Sequence, residues 1–172
     1  MIMNLRKMIL TSLFLALGLV LHQAMPPILF GMKPDIMICM MFIAILLNRD
    51  DYKMTIIIGI IGGLFAAMTS TFPGGQLPNI IDKMVTANCI FFLYKALDKK
   101  ASDQVQIVIA AVTGTLVSGT VFLGSAALLV GLPGPFMALM LAVVLPAVAI
   151  NALGCSVLYN ATIISLKRVR VY

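Results

Sequence analysis

The sequence predicts an all-α integral membrane protein, a single membrane domain over residues 1–172 in which six transmembrane helices form one bundle. Of those residues, 62% are hydrophobic and 10% charged, and the mean hydropathy is +1.11; no soluble domain of this length buries enough surface to hide so much apolar area. Apolar runs of about 20 residues, the length that crosses a bilayer core of roughly 30 Å, recur along the chain and leave no room for a soluble domain. Lysine and arginine gather on alternate connections.

The first run, near residues 8 to 28, follows the basic pair Arg6 and Lys7. It reads as a retained helix, because its apolar part is long for a signal peptide and no A-x-A cleavage site follows. The second, near 34 to 47, has about 14 residues, roughly 21 Å, and must tilt little or begin below the interface. In the third, near 54 to 72, "GIIGGLFAAMTS" sets Gly59 and Gly63, Gly62 and Ala66, and Gly63 and Ala67 four apart. Such a smooth face admits close packing by another helix or another protein. The fourth run lies near 79 to 97. The fifth, near 104 to 130, repeats the small-residue spacing in Gly114 with Ser118, Thr115 with Gly119, and Thr120 with Gly124. In the sixth, near 136 to 166, Pro146 removes a backbone donor and predicts a kink. Asn151, just over a turn later, needs a partner on a neighbouring helix or faces a ligand cavity, and Asn88 on the fourth helix poses the same choice.

The basic residues set an orientation. Arg6, Lys7, Arg49, Lys53, Lys95, Lys99, Lys100, Lys167, Arg168 and Arg170 fall on one side and only Lys33 and Lys83 on the other. This bias places both termini in the cytoplasm and argues against a dual-topology dimer. The net charge of +6 is mostly this topology signal, with anionic lipid as a partner and nucleic acid not implied. Cys39, Cys89 and Cys155 have no partner at metal-ligand spacing and read as small apolar residues. No cofactor or metal is expected. Without H-E-x-x-H or a carboxylate pair on facing spans, the chain does not read as an enzyme; without G-x-x-x-x-G-K-[ST], any ATP-derived energy must come from a partner.

Four charges remain on the outer side: Lys33 and Asp35 in "GMKPD", Asp82 and Lys83 in "PNIIDK". Asp82 lies about one turn inside the fourth helix, where an unpaired charge costs up to a few kcal/mol. Lys83 is a poor partner for it, since neighbours i and i+1 point about 100° apart on a helix. Either Lys33 pairs with Asp82 and Asp35 with Lys83, as a latch, or a ligand bearing both an ammonium and a carboxylate completes the pairs. A zwitterionic amino acid fits the second case, with Asp82 on its ammonium, Lys33 or Lys83 on its carboxylate, and the backbone amides of Gly74 and Gly75 assisting. Gln76, Asn79 and Asn151 join the candidate set, and Phe30, Met32, Phe72 and Met84 are candidates to line an apolar pocket. His22, alone among the residue types that bind metals, reads as a hydrogen-bonded helix residue.

"GMKPD" followed by "TFPGGQLPNIIDK", on six spans in about 170 residues, resembles the TrpP family of bacterial tryptophan transport proteins, itself similar to the substrate-binding S components of energy-coupling factor (ECF) transporters. The resemblance covers essentially the whole chain. It implies a bacterial cell-membrane protein for L-tryptophan uptake, served by an ECF-type transmembrane coupling protein and two cytoplasmic ATPases. Ser12 and Ala16 match in part the small residues that dock the coupling protein in S components, where Val20 takes the next position in the series; Gly59, Gly63 and Ala67 form a second candidate docking face. The absence of Trp from the chain is compatible with an importer made when tryptophan is scarce. The competing reading is a self-contained carrier, facilitative or proton-coupled through Asp82, though the first half does not visibly repeat in the second.

Overall fold

A computed structural model describes residues 5–27 and 32–168; Phe30 and Arg170 lie outside the described residues. The chain is all-α, with helices α1 (Leu5–Ala24), α2 (Met37–Leu47), α3 (Tyr52–Met68), α4 (Gln76–Leu97), α5 (Asp103–Leu129) and α6 (Phe136–Arg168). Helices α1, α5 and α6 are long and apolar enough to cross a membrane, whereas α2 and α3 are shorter apolar helices. α4, at 22 residues, has the length but carries Asp82, Lys83 and Lys95.

Side-chain contacts show successive helices running antiparallel. Met37 and Met40 of α2 fill the space beside Gly18 of α1, and at the opposite end Asn48 donates to Thr11 at 2.9 Å. Between α3 and α4, Gly63 faces Ile80 while Tyr52 donates to Asn88 at 2.6 Å. Between α5 and α6, Gly119 faces Val144, Asn151 donates to Thr115 at 3.1 Å, and Gln104 donates to Ser156 at 2.8 Å. Asn88 is thus tied to α3 and belongs to packing.

α2 is the axis of the bundle. Every residue from Met37 to Leu46 is buried, and all five other helices touch it. A helix that is apolar on every side is one enclosed by other helices. Its 11 residues, about 16 Å long, therefore need not reach both membrane surfaces.

The smooth face of α3, a candidate docking face in the sequence, is turned inward and packs within the bundle. A methyl group on Gly59 would lie 3.1 Å from the Ala87 Cβ, one on Gly63 3.0 Å from the Ile80 Cα, and one on Gly62 2.6 Å from the Met41 sulfur. Gly59, Gly63 and Ala67 are all buried, and their small size lets the α4 backbone come close. Ser12 and Ala16 of α1 are exposed, on a face shared with Leu13, Leu17 and Val20. Cys39 and Cys155 are buried, whereas Cys89 is exposed.

Pro146 acts earlier in α6 than its own position. Residues Met140–Val144 form a π-helical turn before the helix resumes at Leu145. Widening the turn accommodates the carbonyl that the proline ring would strike and the hydrogen bond it cannot donate. The bulge pushes Val144 into the gap left by Gly119, where a Cβ would come within 2.5 Å of Val144 Cγ1.

The basic end is closed by short polar ties. Arg49 bridges Asp103 at 3.1 Å and Asp98 at 3.7 Å, Lys95 meets Asp50 at 3.0 Å, and Asp51 and Ser102 cap α3 and α5. The exposed pairs contribute at most about 1 kcal/mol each. Inside this end, the buried Tyr94 hydroxyl donates to the carbonyl of Phe42 at 3.2 Å.

Among the described glycines, Gly114 is the most closely packed: a Cβ there would stand 2.3 Å from the ring of the fully buried Phe42. Gly114→Ala is expected to destabilise the detergent-solubilised protein by about 1–3 kcal/mol through overpacking, and Phe42→Leu added to it should recover part of the loss. Thermal unfolding of the two variants beside the parent checks this; an unchanged midpoint in Gly114→Ala contradicts the packing described.

Candidate functional site

The site is assembled at the end of the bundle opposite the basic cluster. Because Gly63 lets α4 approach α3 closely, Asp82 and Lys83 are carried into the interior while Ile81 between them and Ile80 faces outward. Asp82 and Lys83 are each 1% exposed. Lys83 Nζ contacts the Asp82 carboxylate and bridges to Asp35 Oδ2 at 2.5 Å. The Asp82 carboxylate also accepts from Thr86 on its own helix and from Ser118 on α5, each at 2.9 Å. Asp82 is thereby fully engaged.

Two expectations change. Lys83 does pair with its neighbour Asp82: the helix angle separates their Cβ atoms, but the four-carbon lysine stem bends back across the gap. Lys33 does not pair with Asp82, and among the described residues it has no carboxylate within 4 Å. Half of the expected latch, Asp35 to Lys83, is formed.

Asp35 has a second neighbour. His22 Nε2 lies 3.7 Å from Asp35 Oδ1, and His22 Nδ1 is 2.6 Å from Thr69 Oγ1. Thr69 spends its one proton on the carbonyl of Phe65 at 2.7 Å, so His22 Nδ1 must be the donor to Thr69. In the neutral ring, Nε2 is then a bare acceptor facing Asp35 Oδ1. Asp35 Oδ1 is buried and accepts no hydrogen bond, and the same is true of Asn151 Oδ1.

Both residues border a cavity enclosing about 660 Å³ of empty space, part of it open to the outside. His22, Lys33, Asp35, Asp82 and Lys83 give it a charged region, Thr115, Ser118 and Asn151 line the α5–α6 wall, and Met32, Phe72, Phe122, Leu123, Val143, Val144 and Ala147 give it apolar walls. Phe72 and Phe122 meet edge to face, their ring centres 5.5 Å apart. Two lysines and two aspartates leave the charged region formally neutral. Among the described residues, no three of His, Cys, Asp or Glu come together as a metal site.

Of the sequence candidates, Lys33, Asp35, Phe72, Asn79, Asp82, Lys83 and Asn151 border the cavity, as does Met32. Gly74, Gly75, Gln76 and Met84 do not. Gly74 has φ +71°, the left-handed region, and a Cβ there would stand 2.6 Å from Val130; a Cβ on Gly75 would press on the Ser70 hydroxyl at 2.6 Å. These glycines shape and seat the turn. Gln76 is exposed, and the Met84 sulfur packs over Gly59. Asn79 borders the cavity, but its amide donates to the carbonyl of Gly75 at 2.7 Å and fixes the start of α4. Sequence reasoning set His22 aside as a helix residue and took Thr115 and Ser118 as packing. The missed signal was their register on α5: Thr115, Ser118 and Phe122, at spacings of three and four, share one helix face.

The family described as Tryptophan transporter TrpP matches residues 4–167. A probable tryptophan transport protein of Clostridium acetobutylicum is 52% identical over 165 residues, covering 96% of each chain. Proteins of the same description from Clostridium perfringens and Bacillus subtilis are each 44% identical, over 96% of this chain and 95% of theirs. No solved structure matches. Matched from end to end by this family and by relatives of one description, the chain belongs to the TrpP tryptophan transporter family.

Proposed function

We propose that the cavity binds L-tryptophan and that the chain is the substrate-binding subunit of an importer driven by an external ATPase module. The observation that carries the substrate reading is the arrangement of unused polar groups beside apolar walls. Asp35 Oδ1 and His22 Nε2 are two acceptors 3.7 Å apart with no donor between them, a place for an ammonium group. Lys33, with no carboxylate of its own within 4 Å among the described residues, is the cation for the ligand carboxylate. Met32, Phe72, Phe122 and Leu123 supply the apolar surface that a large aromatic side chain requires. Asp82 leaves the ligand and becomes the anchor of Lys83.

By the positive-inside bias, the basic end is cytoplasmic, both termini lie inside, and the cavity mouth faces out of the cell. The chain carries no phosphate-binding loop, which supports the role of an S component working with an ECF-type transmembrane coupling protein and two cytoplasmic ATPases. The exposed face of α1, with Ser12 and Ala16 between larger apolar residues, is the surface offered to that coupling protein or to lipid.

The chain has no tryptophan, so fluorescence of the ligand can be followed directly in the purified protein. Asp35→Asn should weaken binding by about 10- to 100-fold, the value of one charge-assisted hydrogen bond, while Asp82→Asn should chiefly lower the unfolding midpoint by undoing the support of buried Lys83. Unchanged affinity in Asp35→Asn would remove the ammonium assignment.

Reconstituted alone in liposomes, the chain should bind tryptophan without concentrating it, with or without a proton gradient. Accumulation of radiolabelled tryptophan that a proton ionophore collapses would establish the self-contained carrier instead.

A further inference from the structure

The tryptophan reading leaves one buried polar group of the cavity unexplained. Asn151 is fully buried, and its amide nitrogen is committed to Thr115 Oγ1 at 3.1 Å. With the nitrogen held there, Oδ1 of this cavity-lining residue is a buried acceptor that accepts from no protein group. A buried acceptor without a donor costs about 1–3 kcal/mol unless water or a ligand supplies one. Its place along the cavity is fixed by α5. Thr115 marks the level of Asn151, while Leu123 stands two turns away toward the mouth, about 12 Å at 1.5 Å per residue. Between these levels the wall carries Ala147, whose small side chain leaves width for a flat ring.

Resting on the reading that the site takes tryptophan, we propose that Asn151 Oδ1 accepts the indole N–H and is the residue that separates tryptophan from other aromatic amino acids. The ligand lies lengthwise, its ammonium and carboxylate at Asp35 and Lys33 and its ring reaching inward along α5 and α6. Among the aromatic amino acids, the indole nitrogen is a donor and nothing else, and it satisfies the orphan oxygen. The ring of phenylalanine drives out whatever water occupies the position and leaves that oxygen bare. Thr115 is a positioning residue that holds the amide in the orientation that shows oxygen to the cavity.

The test needs no altered protein for its first arm. Binding of L-tryptophan and of L-3-benzothienylalanine, which carries sulfur in place of the ring N–H at nearly the same shape, is measured calorimetrically on the purified parent chain. Tryptophan should bind about 10- to 100-fold more tightly, the worth of the lost hydrogen bond. In Asn151→Leu the two ligands should bind within about threefold of one another, and Thr115→Val should narrow the gap while retaining the acceptor. Equal affinities in the parent chain overturn the assignment, because an amide turned the other way, or an empty contact, has no preference for N–H. A parent chain that is folded but binds neither ligand overturns the tryptophan reading itself, a distinct result.

Discussion

The structure depends on a lysine that cannot reach water. Lys83 Nζ, inside an apolar bundle, is held by the carboxylates of Asp82 and Asp35, and transferring any of the three out of water costs several kcal/mol before pairing returns it. On the Asp82 side the remaining lone pairs find donors, Thr86 and Ser118, from two different helices, while Asp35 Oδ1 stays open. The triad therefore fixes α4 against α5 and against the segment that leads into α2. It also carries one more negative charge than positive, and that surplus lies beside the cavity at Asp35.

Much of the surrounding geometry serves to bring this triad indoors. Gly63 has to be glycine-sized because α4 passes at the level of Ile80 and Lys83, and Gly119 has to be small because the widened turn of α6 delivers Val144 there. The proline that widens the turn thus sets the cavity wall one turn away from itself. A regular helix through Met140–Val144 would rotate the preceding residues by roughly a quarter turn or more relative to Asn151, since each residue turns a helix by about 100°. The polar contact between Asn151 and Thr115 and the packing of Val144 on Gly119 coexist because the bulge absorbs that mismatch.

The helical class, the approximate ends of the six helices and the gathering of four charges at the end away from the basic cluster were legible because they rest on one-dimensional signals: runs of apolar residues, breaks at Pro and Gly, and alternation of Lys and Arg. What was not legible was direction. Four-residue spacing of glycines says that something packs closely on α3, but not whether the visitor is α4 or another protein, and here it is α4. The angle rule that separates Asp82 from Lys83 applies to Cβ vectors and fails for a side chain long enough to turn back. His22 was legible as a hydrogen-bonded helix residue but not as part of the cavity, because that place depends on Thr69 and Asp35, one 47 residues away and the other on a different segment.

The closed end of the bundle bears on how a ligand crosses. Below the cavity lies α2, buried on all sides from Met37 to Leu46, with Tyr94 bonded to its backbone and Asn48 bonded to α1. Opening a path to the basic end through the bundle would strip this helix from its neighbours, exposing the orphaned Tyr94 hydroxyl and the Phe42 backbone to a membrane interior that offers no replacement partners. Opening at the mouth, by contrast, disturbs short connections: the segment from Met32 to Asp35 and the turn around Phe72. The energetic asymmetry between the two ends favours loading and release through one mouth over alternate opening of two. On the proposed reading of an externally driven subunit, this asymmetry assigns to the partner module the work of moving the whole bundle, because the chain's own cheap opening lies at one end.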